Sequence, residues 1–410
     1  MGGGMANAVA PSSPRMKWRV ACAFAAAGLL TWSQTVAAPY VPADDNFILE
    51  SGLPTADPRM REMRTLASRL RERSDDLTTA MLLASRQLAM GVAEADPRFV
   101  GYARGTLARW WQDDSAAPLL RVLRARILQA QHDFAPAAAD LRAALSDAPD
   151  TAQALLVLAG IDEVTGDLAE ARDACARFEV ARPGLAASAC SASIGSLTGM
   201  AAASKTALTD AINRYPTANT NQRLWAYTIL GEIAIRLDDP TAEDYLLQAL
   251  ALNRRDIYAL TVYADYLLDR GRATEVLRLL RGFERVDALY LRLALAAQAS
   301  GDPNFATYRD DVAARYEAAR RQGDTVHLRD ASRFALNIEH NGATALDLAQ
   351  QNWSAHKTPY DARALLVAAI AAQSPVAAKP VIDWLATTRL EDHGLERLVQ
   401  RLASPAINLE

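Results

Sequence analysis

The stretches HDFAPAAADLRAALSDAPD, residues 132–150, and GDLAEARDACARFEVARPG, residues 166–184, begin thirty-four residues apart, and their reading decides the fold. Laid over each other at that interval, Asp133 meets Asp167, Ala137 meets Ala171, Leu141 meets Cys175 and Pro149 meets Pro183. What repeats is spacing and side-chain size rather than identity. Each unit reads as a helix, a turn at Gly or Asp, a second helix that starts near a small residue, and a proline that ends it.

The beat extends outward from there. Ala125 and Ala159 keep the same interval, as do His132 and Gly166. A looser unit follows, with Gly199 at its turn, Leu208 and Ala211 in its second helix and Pro216 at its close. WAYTILGEIAIRLDD, residues 225–239, is then answered by YALTVYADYLLDRGR, residues 258–272, with Trp225 over Tyr258, Gly231 over Ala264 and, in the second helices, Leu246 over Leu280. Two antiparallel helices approach closely only where side chains are small, and the turn between them needs a residue that tolerates a positive φ. One such pair cannot bury its apolar face alone, so neighbouring pairs stack around a continuous core.

With Ala125, Ala137 and Pro149, then Ala159, Gly166, Ala171 and Pro183, then Ala264 and Gly271, then Ala294, Gly301 and Ala306 at those places, the chain resembles the tetratricopeptide repeat family over about two thirds of its length. The resemblance implies an all-α fold, a right-handed superhelix of antiparallel helix pairs forming an α-solenoid. The array is expected over residues 116–322, with further repeats and a polar capping helix over 323–410, where Ala335, Gly342 and Pro359 keep the intervals. Residues 58–115 read as an N-terminal helical cap or degenerate repeat. The pattern departs from the family at His132, which replaces the turn glycine, and at Val276, which replaces the second-helix alanine. Around Gly195 to Lys205 it is weak enough to expect a bend or loosened packing.

At 410 residues and 50% hydrophobic, the chain has ample material for a large core, and its net charge of −4, without a basic stripe, argues against nucleic acid as partner. Residues 1–37 read as a signal peptide: Arg15, Lys17 and Arg19 precede the apolar run VACAFAAAGLLTW, and Thr35-Val36-Ala37-Ala38 offers small residues for cleavage. Residues 38–57, punctuated by Pro and Asp, read as an extended arm. Cys22 lies too early in the run for a lipoprotein signal, so the expectation is an exported, periplasmic protein with no membrane insertion after leader cleavage. Cys175 and Cys190 remain after cleavage, either side of the turn at Pro183 and Gly184. At about 1.5 Å rise per residue they sit at similar heights on antiparallel helices. A disulfide fits that geometry, and so do two thiols packed as small core residues.

Chemistry is hard to find in the chain. The five histidines show no metal-ligand spacing, and there is no GxSxG, no phosphate-binding glycine loop and no dinucleotide fingerprint, so no metal and no cofactor is expected. What remains is a surface. The resemblance implies that the concave groove is lined by the first helix of each unit, which places Trp225, Glu232 and Arg236 on it, and Tyr258, Asp265 and Asp269 one unit on. An aromatic ladder beside a mostly acidic one suits an apolar or basic extended segment of a protein or peptide partner. The alternatives are that Trp225 and Tyr258 merely pack between units, that the ends or convex face serve as a structural subunit of an envelope assembly, or that an unrecognised helical site makes the protein an enzyme. That last alternative requires a deep pocket with convergent polar groups and perturbed titrating residues.

Overall fold

The computed structural model describes residues 57–113, 115–323 and 326–403; the expected leader and nearly all of the N-terminal arm fall outside them. Among the described residues every regular element is helical, and adjacent helices pack in pairs, an all-α solenoid-like fold. None of these helices is long and apolar enough to cross a membrane.

Three helices lead: α1 (Pro58–Glu72), α2 (Leu77–Glu94) and α3 (Pro97–Thr106). Each is started by an aspartate, Asp57, Asp76 or Asp96, whose carboxylate accepts an amide of the first turn and so satisfies a donor that the helix itself leaves unpaired. Buried Arg124 ties this cap to the array. It pairs with Asp140 and also donates to the Trp111 and Asp113 carbonyls at 3.0 and 2.9 Å.

The array follows as hairpins: α4 (Pro118–Ala130) with α5 (Phe134–Asp147), α6 (Ala152–Thr165) with α7 (Leu168–Ala181), α8 (Leu185–Ser196) with α9 (Ala201–Arg214), and α10 (Thr220–Arg236) with α11 (Ala242–Leu252). Then come α12 (Ile257–Asp269) with α13 (Ala273–Leu279), α14 (Asp287–Ser300) with α15 (Phe305–Arg321), and α16 (Leu328–Asn337) with α17 (Gly342–Ala355). The last helices are α18 (Pro359–Ala371), α19 (Lys379–Thr388) and α20 (His393–Ala403). Beyond its own hairpin, each first helix packs on the first helix of the next pair, from α4 through α6, α8, α10, α12, α14 and α16 to α18. The first helices therefore form one continuous inner layer.

Small residues allow the close approaches that the repeat demands. A Cβ added to Gly231 on α10 would stand 2.6 Å from Leu246 Cδ2 on α11, inside contact distance. The weak stretch around Gly195 turns out to be closely packed, contrary to the expected bend or loosening. A Cβ at Gly195 would meet Ser204 Oγ at 2.6 Å, so α8 and α9 form a tight hairpin where glycine and serine replace the usual alanines. His132 does stand at a turn with φ +60°, a left-handed backbone conformation that glycine adopts most readily. His340 likewise occupies the turn between α16 and α17, with φ +55°.

The solenoid does not stay open. The C-terminal helices cross back onto the early repeats, where the Lys357 amide donates to the Val164 carbonyl at 2.8 Å and Lys357 Nζ to the Thr165 carbonyl at 3.1 Å. The stem of Lys357 lies over Gly166, where a Cβ would come within 2.9 Å of it. Further along the seam, Glu391 accepts the Ala201 amide at 2.6 Å, Arg389 covers Gly199, and Arg397 pairs with Asp238 at 2.6 Å. Leu168 and Leu197, from early repeats, belong to the C-terminal apolar core with Trp353, Leu365 and Leu395.

Cys175 and Cys190 are joined, with Cα atoms 5.6 Å apart, and both are buried in the core of the α4 to α8 region. The bond closes a span of 15 residues between α7 and α8. Replacing both cysteines by alanine is expected to cost about 3 kcal/mol in the chain-entropy account. Urea unfolding of the oxidised protein against the double variant reads it directly, and coincident midpoints would contradict it.

Candidate functional site

Closure turns the inner face of the solenoid into a cavity of about 1240 Å³. The six residues expected on a groove, Trp225, Glu232, Arg236, Tyr258, Asp265 and Asp269, all line it. They do so because they occupy inward-facing positions of α10 and α12, whose opposite faces carry the buried Leu230, Ile233, Leu260 and Leu267. Trp225 has a double role, lining the cavity while packing against the apolar cores of the α4 to α8 and α8 to α10 regions. Tyr258 leaves 56% of its surface uncovered, and its hydroxyl reaches inward to Glu232 at 2.6 Å.

Residues outside those six complete the walls. Arg292, on α14 and only 2% exposed, donates to Asp265 on α12 at 2.7 Å and to Asp330 on α16 at 2.8 Å. Arg333 adds a second cation to Asp265 at 2.5 Å. Burial opposes the charge on Asp265, yet Arg292 and Arg333 outweigh it and hold the carboxyl well below its usual range. Arg363 on α18 clamps Asp269 through two oxygens, at 2.5 and 2.7 Å, and Arg329 lies 3.5 Å from Asp361, which also closes a capping box with Thr358 at the start of α18. This wall is electrostatically closed, each charge facing its opposite.

The facing wall differs. Glu163 on α6 accepts the Ser193 hydroxyl at 2.8 Å, and Glu232 accepts the hydroxyls of Tyr258 at 2.6 Å and Tyr360 at 3.1 Å through the same oxygen, Oε1. Arg236 approaches both glutamates electrostatically but gives its hydrogen bond to Ser196 at 2.6 Å, leaving its buried Nε without a partner. Burial pushes Glu163 up to about 7, with neighbouring Glu232 adding to the effect against the Ser193 hydrogen bond. Burial raises Glu232 as well, against the Tyr258 hydrogen bond. Two carboxylates face one guanidinium in a poorly solvated space, so the group is short of positive charge.

At the rim, His132 Nδ1 and His356 Nε2 lie 2.9 Å apart across the seam, with the Phe134 ring edge-on to His356. Burial lowers the pKa of His356. Among the described residues no group of three or more His, Cys, Asp or Glu side chains is arranged to hold a metal ion.

Glu163, Arg292, Arg333, Tyr360 and Arg363 were not among the groove residues read from the sequence. Glu163 had a findable signal, since it lies on the first helix of its unit, three residues before the turn at Gly166. Counted from Ala159 as the counterpart of Gly231, the register of Glu232 and Arg236 falls on Gly160 and Val164, so Glu163 stands one residue beside a marked position. The others come from α14, α16 and α18, beyond the two units over which the groove was read. No protein-family model matches the chain, and no curated protein matches it.

The raised Glu163 has a consequence for stability. Its carboxyl moves from 4.5 up to about 7 on folding, so the folded chain keeps a proton that the unfolded chain releases. That contribution is fully present below pH 4.5 and is lost as pH rises through 7. Glu163→Gln is therefore expected to unfold like the parent at pH 4 and to gain on it by about 1–3 kcal/mol by pH 8. Parallel denaturant titrations at the two pH values measure the difference. A gap that stays constant with pH would contradict the assignment.

Proposed function

We propose that this protein is an exported scaffold of the tetratricopeptide repeat type that holds an extended segment of a protein or peptide partner inside its closed groove, without chemistry of its own. The observation that carries this reading is the cavity. At about 1240 Å³ it exceeds the ordinary small-molecule site of roughly 300–1,000 Å³, and its lining combines apolar side chains with a few inward polar groups. Inner helices of successive repeats supply the walls, which gives an elongated partner several independent contacts. The Cys175–Cys190 disulfide supports an oxidising compartment, in keeping with the leader read at residues 1–37.

The outer surface offers less. Its large exposed apolar side chains, among them Val92, Leu119, Val180 and Val376, are scattered over different elements and are ordinary for a folded protein, which weighs against a role as a structural envelope subunit.

A second reading has one specific observation in its favour. Glu163, carried to about 7 and set beside Glu232 on the cavity wall, is the kind of carboxyl that serves as a general acid or base. Against it stands the neighbouring architecture. Among the described residues the cavity's carboxylates other than Glu163 and Glu232 are neutralised by arginine or engaged at a helix start.

Photo-crosslinking separates the readings. A photoreactive phenylalanine analogue replaces Tyr258 in the cavity in one variant, and in another replaces Val180, which is 84% exposed on α7. Irradiation of intact cells is expected to give a protein adduct from position 258 alone, mapping to a contiguous stretch of the partner. An adduct from position 180 and none from 258 would move the site to the outer face. A small-molecule adduct at 258 would favour the enzyme.

A further inference from the structure

The cavity distributes its charge unevenly, and the imbalance specifies what it takes. Among its described lining residues, Asp265, Asp269, Asp330 and Asp361 face arginines within 4 Å, and Asp256 accepts the Ala259 amide at the start of α12. Glu163 and Glu232 are the lining carboxylates left with neither an ion-paired cation nor a helix start to cap. Their Oε1 atoms are occupied by Ser193, Tyr258 and Tyr360. Among the described residues nothing donates to either Oε2, and neither Oε2 belongs to the sealed polar atoms without a partner. Each is therefore an accessible acceptor on the cavity wall.

We propose that Glu163 and Glu232 together receive the ammonium group of a lysine side chain carried by the segment that enters the cavity, with the lysine stem lying along the Tyr258 and Tyr360 rings. The proposal rests on the cavity being the binding site. Three features select this chemistry. An ammonium is compact and carries three donors, so it can take one oxygen from each of two carboxylates and turn the third donor toward a ring face. A guanidinium prefers both oxygens of a single carboxylate side by side, and here each glutamate has one oxygen already engaged. A divalent cation asks for six or more oxygen ligands, and no such cluster exists among the described residues. The occupant must also be long, because these glutamates lie on one wall of a space that extends to α14, α16 and α18.

Arg236 sharpens the selection. It stands near enough to both glutamates to offset part of their charge, so with a neutral occupant the second carboxylate is balanced only by taking up a proton, whereas a single ammonium balances it directly. Desolvated, imperfectly neutralised groups of this kind discriminate strongly between a charged ligand and its apolar isostere.

The test uses the full oxidised chain and an equimolar library of pentapeptides blocked at both ends, containing lysine, arginine or norleucine at the central position, separated by equilibrium dialysis and quantified by mass spectrometry. Blocked ends restrict the ammonium to the side chain. The expected result is retention of lysine peptides about tenfold above their norleucine counterparts, equivalent to about 1.4 kcal/mol. That preference should fall below about twofold in Glu232→Gln, which keeps an acceptor for Tyr258 and Tyr360, and in Glu163→Gln, which provides an independent variant should one of them fold poorly. Equal retention of lysine and norleucine peptides, arginine peptides retained above lysine, or a preference surviving both substitutions would overturn the lysine site while leaving peptide binding in the cavity intact. No retention of any peptide would remove the cavity reading and the lysine site together.

Discussion

Three successive inner helices meet on one guanidinium. Arg292 of α14 reaches back to Asp265 of α12 and forward to Asp330 of α16, almost wholly out of water. Burying these charges is costly, and only mutual pairing with good geometry offsets the loss of hydration. Such an arrangement leaves little freedom in how the three helices sit, because displacing any of them strands a charge in a medium of low dielectric. The array thereby acquires a fixed curvature over α12 to α16 that apolar contacts, being non-directional, would not impose alone. The C-terminal repeats carried on that curve arrive at Gly166, Gly199 and Asp238, where backbone and side-chain hydrogen bonds receive them.

Closure is what converts a repeat array into a site. An open solenoid offers a groove whose charges are bathed in water and screened. With α16 and α18 across it, the same side chains line a partly covered cavity where pairing matters. The wall built by late repeats is neutralised internally, by Arg292, Arg333 and Arg363 against Asp265, Asp330 and Asp269. The wall built by α6 and α10 retains Glu163 and Glu232 facing a single arginine. A structural ion-pair network and two carboxylates without a paired cation thus share one cavity, and their difference is visible in how each carboxylate is satisfied.

Much of the helical architecture is legible in the sequence because it is local. The interval between residues 132–150 and 166–184, the small residues at Ala125, Ala159 and Gly231, and the prolines that end units all follow from packing two helices and then stacking the pair. Inner-face positions are equally local, which is why Trp225, Glu232, Arg236, Tyr258, Asp265 and Asp269 emerge together in one cavity. Glu163 went unmarked because the register of Glu232 and Arg236, counted from Gly231 and its counterpart Ala159, falls on Gly160 and Val164 beside it. Closure had no local signal at all. Lys357 and Val164 are far apart in the chain, and nothing in either segment announces a partner; Lys357 reads as an ordinary polar residue before a proline-started helix. Tyr360, Arg333 and Arg363 inherit that silence, since their place in the site depends on contacts that only the whole superhelix creates.

The most direct test of the closed solenoid is amide hydrogen exchange at Lys357. Its N–H lies in the connection between α17 and α18 and is bonded to the Val164 carbonyl, across the seam and outside either helix. A closed chain predicts protection on the order of a thousandfold or more relative to an unstructured peptide, comparable with amides of neighbouring helices. Exchange at the unstructured rate, with α17 and α18 still protected, would mean that the C-terminal repeats stand away from the early ones, and the enclosed cavity with them would be lost.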